Sequence, residues 1–180
     1  MQTIQANNYP VHFNEKGYDA LNLHLKETKY SNLFIIIDSN TNDYCLPKFL
    51  PYLETDLTIE IIEFEAGEIN KNIDTCIEIW KVLTELGADR KSLVINLGGG
   101  VVTDLGGFVA STFKRGVDFI HIPTTLLSMV DASVGGKTGV DLGNLKNQIG
   151  VINVPLMVII DTQYLETVPQ NEMRSGLAEM

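Results

Sequence analysis

The sequence predicts an α/β domain with a largely parallel sheet flanked by helices, and three observations carry that prediction. Short apolar runs end in an acid or a polar turn, as buried strands do when their carboxyl ends face a ligand. Between them lie segments with apolar residues at three- and four-residue spacing, the period of an amphipathic helix. A dense series of glycines, hydroxyls, acids and lysines runs from Gly98 to Gly150, and no ordinary core requires it.

The elements follow in order. Leu33-Phe34-Ile35-Ile36-Ile37-Asp38 reads as a buried strand, with Ser39-Asn40 at its carboxyl end. Pro47 and Pro51 bracket a short helical or irregular segment, and residues 58–64 alternate as a second strand. From Asn70 to Leu86 the positions Ile73, Ile77, Trp80 and Leu83 make one apolar helix face, stopped by Gly87. Leu93-Val94-Ile95-Asn96 is a third strand, and the Gly98-Gly99-Gly100 turn feeds a helix from about Thr103 to Phe113. Phe119-Ile120-His121-Ile122 is a fourth strand, halted by Pro123; residues 156–160 form a fifth, ending in Asp161. Ligands of such sheets sit outside the carboxyl ends of the strands. With no internal repeat, low-complexity tract or linker, residues 1–180 read as one domain.

Length and charge narrow the function. A chain of 180 residues buries roughly 70% of its unfolded surface. Its net charge of −10 argues against nucleic acid as a partner. An acidic protein still binds a phosphorylated metabolite where its few cations converge; Lys71, Arg115, Lys137 and Lys146 are the candidates. Cys45 and Cys76 have neither metal-type spacing nor a disulfide framework and read as two reduced thiols. The N-terminus lacks a basic-then-apolar pattern, and no apolar run approaches ~18 residues. A cytoplasmic protein with no membrane partner is expected.

The glycine turn is the first chemical motif. Strand, three glycines, then helix is how a dinucleotide's pyrophosphate meets backbone N–H groups and a helix dipole, although three glycines also make a plain tight connection. Gly106 and Gly107 in the following helix cost about 2 kcal/mol relative to alanine, so close packing against a strand or a cofactor should offset them. Gly67-Glu68 with Lys71 is a second possible cofactor contact, or simply a helix start with an acid in its first turn. Asp38 and Asn40 suit an adenosine ribose and equally suit a turn. Thr124 and Thr125 can begin a helix after Pro123, and Asp131 can be a surface acid. Gly135-Gly136-Lys137-Thr138 suggests a P-loop, but its first glycine would have to stand where Asp131 is, so the nucleotide-triphosphatase reading fails. Arg115-Gly116 ends a helix, where a cation is favourable anyway. His12, His24 and His121 are scattered and read as structural.

Taken together, these segments resemble the 3-dehydroquinate synthase family of sugar-phosphate cyclases. The resemblance runs through Gly67-Glu68 with Lys71, Gly98-Gly99-Gly100-Val101 with Asp104, and Arg115-Gly116. It continues in Pro123-Thr124-Thr125-Leu126-Leu127, Asp131, Gly135-Gly136-Lys137, Lys146-Asn147, Ile160-Asp161-Thr162 and Ser175-Gly176-Leu177-Ala178-Glu179. It implies a Rossmann-like NAD-binding domain. The implied reaction converts 3-deoxy-D-arabino-heptulosonate 7-phosphate to 3-dehydroquinate and phosphate, in the shikimate route to aromatic amino acids. NAD would take up a hydride and return it, with no net redox change.

Roles follow at the matching positions as implications of the resemblance. Asp38, Asn40, Glu68, Lys71, Gly99, Gly100, Val101, Val102, Thr103 and Asp104 would bind NAD. So would Thr124, Thr125, Leu127, Tyr164, Leu165, Glu166 and Thr167. Lys137 and Lys146 would lie between cofactor and substrate, with Asp131 and Asn147 facing the substrate's polar groups. Arg115 would reach the substrate phosphate from the neighbouring subunit of a homodimer. Glu179 would be one of three ligands to a divalent metal, zinc or cobalt.

The sequence departs from the family pattern at Asp141, Gly143, Leu145 and Ile152, all in one loop. The family's metal-binding histidines belong to a helical domain after the position of Met180, so this chain alone is expected to be inactive in full turnover. A sister cyclase acting on another sugar phosphate, or a stand-alone NAD-binding or dimerisation module, are the alternatives.

Overall fold

The computed structural model describes residues 3–6 and 8–180; Met1, Gln2 and Asn7 of the expected 1–180 domain lie outside the described residues. The chain opens with strands β1 (Ile4–Gln5) and β2 (Pro10–Phe13) and helix α1 (Glu15–Glu27). Strand β3 (Leu33–Asp38) leads into the short helices α2 (Ser39–Tyr44) and α3 (Leu46–Phe49). Then come β4 (Ile59–Phe64), α4 (Ile73–Glu85), β5 (Leu93–Gly98), α5 (Gly100–Thr112) and β6 (Asp118–Pro123). Strands β7 (Lys137–Leu142) and β8 (Leu145–Ile152) follow, then β9 (Val158–Ile160) and α6 (Gln170–Ala178).

Among the described residues, seven strands form one sheet in the order β1-β2-β9-β6-β5-β3-β4. Only β1 runs antiparallel to its neighbour. Strand β3 shows why a parallel sheet needs cover on both faces. Leu33, Ile35 and Ile37 pack with Tyr18, Leu21 and Phe49 on one side, whereas Phe34 and Ile36 pack with Ile79, Leu83 and Val109 on the other. Successive side chains of a strand point to opposite faces, so one unbroken apolar run serves two cores.

The connections also decide where a ligand can sit. From β3 the chain steps outward to β4, then returns past β3 to β5 on its other side. The crossovers therefore diverge between β3 and β5 and leave a crevice outside their carboxyl ends. Asp38 and Gly98 end the two strands there.

All five predicted strands are present. The helix expected from about Thr103 begins at Gly100 instead. A glycine in the first turn forfeits little, because N–H groups there have no intrahelical partner in any sequence. The fifth strand starts at Val158, two residues later than predicted. Helix α6 stops at Ala178, with Glu179 as its C-cap. The β7–β8 hairpin, β1, β2 and α1 carry no prediction. Gly143-Asn144 between Leu142 and Leu145 is a two-residue hairpin signal that reveals β7–β8, and Gly143 takes the positive φ of 58° such a turn needs.

Gly106 and Gly107 are offset by packing. A Cβ on Gly106 would lie 2.0 Å from Asn96 Oδ1, and one on Gly107 would lie 2.5 Å from the Thr138 methyl. The two glycines let α5 settle onto β5, β6 and β7, over the buried Asn96–His121 pair.

Candidate functional site

A cavity of about 730 Å³ opens at the crevice. Its back wall is the start of α5. Gly99 is the N-cap and supplies no side-chain cap, so the first N–H groups of this 13-residue helix are left for another acceptor. The first helical bond runs from Thr103 N to Gly99 O at 3.0 Å. A Cβ on Gly99 would come within 3.1 Å of the Thr125 methyl, and one on Gly100 within 3.5 Å of Ala132 Cβ. Backbone and dipole thus face the cavity with no side chain between, which is a cradle for an anionic group such as a pyrophosphate.

The segment opposite is fixed by its own hydrogen bonds. Thr124 N donates to Gly98 O at 2.9 Å, and Ser128 Oγ accepts from Thr125 N at 3.1 Å. Residues Ser128–Ala132 are wound as a π-helix, a conformation frequent at functional sites. It carries Asp131, exposed, to the edge of the cavity.

Asp38 forms another wall. Its Oδ1 accepts from Thr41 N at 2.8 Å and from Thr41 Oγ1 at 2.9 Å, capping α2. Its carboxylate hydrogen bonds among the described residues all fall on Oδ1, so Oδ2 keeps acceptor capacity beside the cavity. Tyr164, also on the wall, is held from behind: Tyr18 Oη lies 3.0 Å from its hydroxyl and donates to Asp161 Oδ2 at 2.8 Å. Burial pushes both phenols well above their ordinary range, so they remain neutral donors. Cys45 lines the same cavity, and burial raises its thiol to about 11.

A second cavity of about 570 Å³ adjoins the first, with Asp104, Asp131 and Ala132 lining both. Lys137 and Asn147 line the second one. Lys71, nearly fully buried on the wall of the first, places its ammonium 2.5 Å from Asp104 Oδ2 and 2.7 Å from Asn147 Oδ1. Burial raises the Asp104 carboxyl, the Lys71 ammonium pulls it back, and the carboxylates of Glu68 and Asp131 add to the rise.

The crevice gathers most of the residues expected to bind a cofactor. Asp38, Asn40, Glu68, Lys71, Gly99, Gly100, Val101, Asp104, Thr124, Thr125, Leu127, Tyr164 and Thr167 all line the first cavity. Other expected residues stand elsewhere, each for a visible reason. Val102 is packed beneath Gly98 and buried in the core, and the Thr103 hydroxyl turns back to Gly99 O and Gly100 O. Leu165 packs on the core, and Glu166 faces Lys48 at 3.3 Å. Lys146 pairs with Glu68 at 2.8 Å on the exposed side. Arg115 is exposed beyond the far end of α5, a helix of about 20 Å. Glu179 is exposed after α6.

Residues outside the expected set also contribute. Thr41, Cys45, Asn171 and Glu172 line the first cavity, and Thr138, Gln148 and Val151 the second. Thr41 has a sequence signal, as the fourth residue of an Asp-x-x-Thr cap, and Thr138 follows the Gly135-Gly136-Lys137 segment. Among the described residues no three of His, Cys, Asp or Glu come together to hold a metal, so the metal expected at Glu179 does not fit this chain's residues alone. No helix among them is long and apolar enough to cross a membrane.

A 3-dehydroquinate synthase of Parabacteroides distasonis is 46% identical over 156 residues, which are 87% of this chain and 44% of that protein. The chain spans about half the length of the curated relatives it matches. Its fold is that of 2-deoxy-scyllo-inosose synthase complexed with carbaglucose-6-phosphate, NAD+ and Co2+, at a TM-score of 0.88 and 26% identity. That alignment covers 98% of this chain and 50% of the other. The 2-epi-5-epi-valiolone synthase of Streptomyces hygroscopicus subsp. jinggangensis 5008, with NAD+ and Zn2+ bound, aligns at a TM-score of 0.83 and 28% identity, over 99% of this chain and 49% of its own. Residues 61–175, which include the glycine turn and all four candidate cations, match the 3-dehydroquinate synthase N-terminal family, and to that family the chain belongs.

Proposed function

We propose that this chain is the NAD-binding part of a 3-dehydroquinate synthase, a homodimeric cytoplasmic enzyme of the shikimate pathway. The observation that carries the reading is the meeting of two cavities at Asp104 and Asp131, one of them backed by an uncapped helix N-terminus. NAD fits the first cavity: the bare start of α5 suits its pyrophosphate, and Asp38 has acceptor capacity left for a ribose. Bound there, it would supply a hydride acceptor that acidifies the neighbouring C–H of the substrate and then returns the hydride.

The second cavity suits the sugar phosphate. Lys137 offers a cation and Asn147 an amide, while Asp131, exposed at the junction, accepts from substrate hydroxyls. Arg115, remote from its own chain's cavities, suits the site of a second subunit. Lys114 and Arg115 hold φ values of 48° and 71°, a costly conformation for non-glycine residues that fits a functional loop. The metal ligands besides Glu179 would come from the rest of a longer protein, so the 180-residue chain should not complete turnover.

A sister cyclase making an inosose or valiolone is the second reading, favoured by the two structural neighbours. Identity supports the first reading: 46% to a 3-dehydroquinate synthase against 26% and 28% to the sister enzymes. A calorimetric NAD titration, with circular dichroism reporting the fold, tests the cofactor reading. Saturable binding weakened by Lys71→Met or Asp104→Asn supports it; a folded chain that binds no NAD contradicts it. Phosphate released from the heptulosonate phosphate at an ordinary enzymatic rate by this chain alone would refute the predicted inactivity.

A further inference from the structure

Lys71 touches both sides of the wall between the two cavities. An ammonium has three N–H donors and no acceptor. One donates to Asp104 at 2.5 Å and one to Asn147 at 2.7 Å, which leaves one for an acceptor in the first cavity. Asn147 lines the second cavity and not the first. Because its Oδ1 accepts from a donor-only group, its Nδ2 is the end left to donate elsewhere. Its backbone is equally constrained: φ is 53°, and its N–H donates to Asp141 Oδ1 at 2.7 Å. Asp141 N in turn donates to Lys71 O at 2.9 Å. Asn147 is therefore tied to one lysine that belongs to the other cavity, directly through its side-chain Oδ1 and indirectly through its backbone and Asp141.

We propose that Lys71 is a positioning residue that couples the two cavities, so that a dinucleotide oxygen accepting from its third N–H locks the Asn147 amide in the orientation that donates to the sugar phosphate. The inference rests on the dinucleotide reading above. It explains why a cation lies almost fully buried between two polar cavities, and it makes a bound dinucleotide raise the affinity for the sugar phosphate. Coupling between sites is reciprocal, so Asn147 must support dinucleotide binding although it does not reach that cavity.

The test is a calorimetric NAD titration of the 180-residue chain and three variants. Asn147→Gly removes the side chain yet accepts the positive φ, so the hairpin is not strained. Asn147→Asp keeps an acceptor for Lys71. Leu145→Ala, an exposed position of the same hairpin that lines neither cavity, is the control. The expected result is about a tenfold loss of NAD affinity in Asn147→Gly, the scale of one charge-assisted hydrogen bond, with recovery in Asn147→Asp and no change in Leu145→Ala. If Asn147→Gly binds NAD as tightly as the parent, or more tightly, the coupling is wrong while the dinucleotide reading stands. If the folded parent binds no NAD, the dinucleotide reading fails and the coupling falls with it. Should Asn147→Gly not fold, Asn147→Ser, too short to reach Lys71, must show the same loss.

Discussion

Tyr18 in α1 donates its phenolic hydrogen to Asp161 Oδ2 at 2.8 Å, joining residues 143 positions apart beneath the cavity wall. Gln163 also holds Asp161 through its backbone and side-chain amides, and Tyr18 stacks on Tyr52 with the rings 4.1 Å apart. Tyr18→Phe keeps the stacking and leaves Asp161 partly paired. The expected cost is therefore about 1–2 kcal/mol, read as a lower urea midpoint at unchanged slope. A loss above about 4 kcal/mol would mean that the hydroxyl holds more than these contacts account for.

Gly106→Ala tests packing against helix propensity. Alanine is the better helix former by about 1 kcal/mol. Its Cβ would nevertheless stand 2.0 Å from the buried Asn96 Oδ1. Overpacking should win, with a net loss of about 3 kcal/mol. Asn96→Ala makes room, so the double variant should be less destabilised than the sum of the single ones. Strict additivity in a denaturation cycle would refute the clash.

His121 sets a pH dependence. Full burial lowers it to about 3, whereas in an unfolded chain it titrates near 6.5. Below about pH 6.5 the unfolded state takes up the proton and the folded state does not. This contribution to stability is thus complete above that pH and is lost as pH falls toward 3. Between pH 7.5 and pH 5 the loss from this group should be about 2 kcal/mol. Comparing urea midpoints of the parent and His121→Gln at both pH values isolates it. Equal pH shifts in the two proteins would show that the imidazole is not held neutral.

Gly99→Ala separates binding from folding. Its φ of −73° is open to alanine, so the fold should lose no more than about 1 kcal/mol. The new methyl meets Thr125 at 3.1 Å and fills the mouth of the anion cradle. NAD affinity measured by calorimetry should fall about tenfold or more. Parent-like affinity would place the pyrophosphate elsewhere.

Much of the architecture was legible because it is written in local patterns. Residues 33–38 read as a buried strand and residues 93–96 as another, and both are strands buried along their length; Gly87 stops α4 with the positive φ expected of a helix end. Strand ends then located the crevice, since Asp38, Gly98 and Pro123 finish parallel neighbours. The π-helix at Ser128–Ala132 was not legible, because its five-residue bonds depend on packing against α5 and not on a pattern in the chain. Nor was the pairing of Lys146 with Glu68.

The sequence by itself determined five of the strands and the helices between them, the glycine turn and the residue types available to a ligand, because periodicity and turn chemistry act over a few neighbouring positions. Only the tertiary structure decided which of those residues meet. Lys71, Asp104 and Asn147 come from a loop, a helix and a hairpin, and no local rule relates them. They converge because the sheet reverses its winding between β3 and β5 and because α5, free of side chains at Gly106 and Gly107, packs closely against Asn96 of β5 and Thr138 of the hairpin.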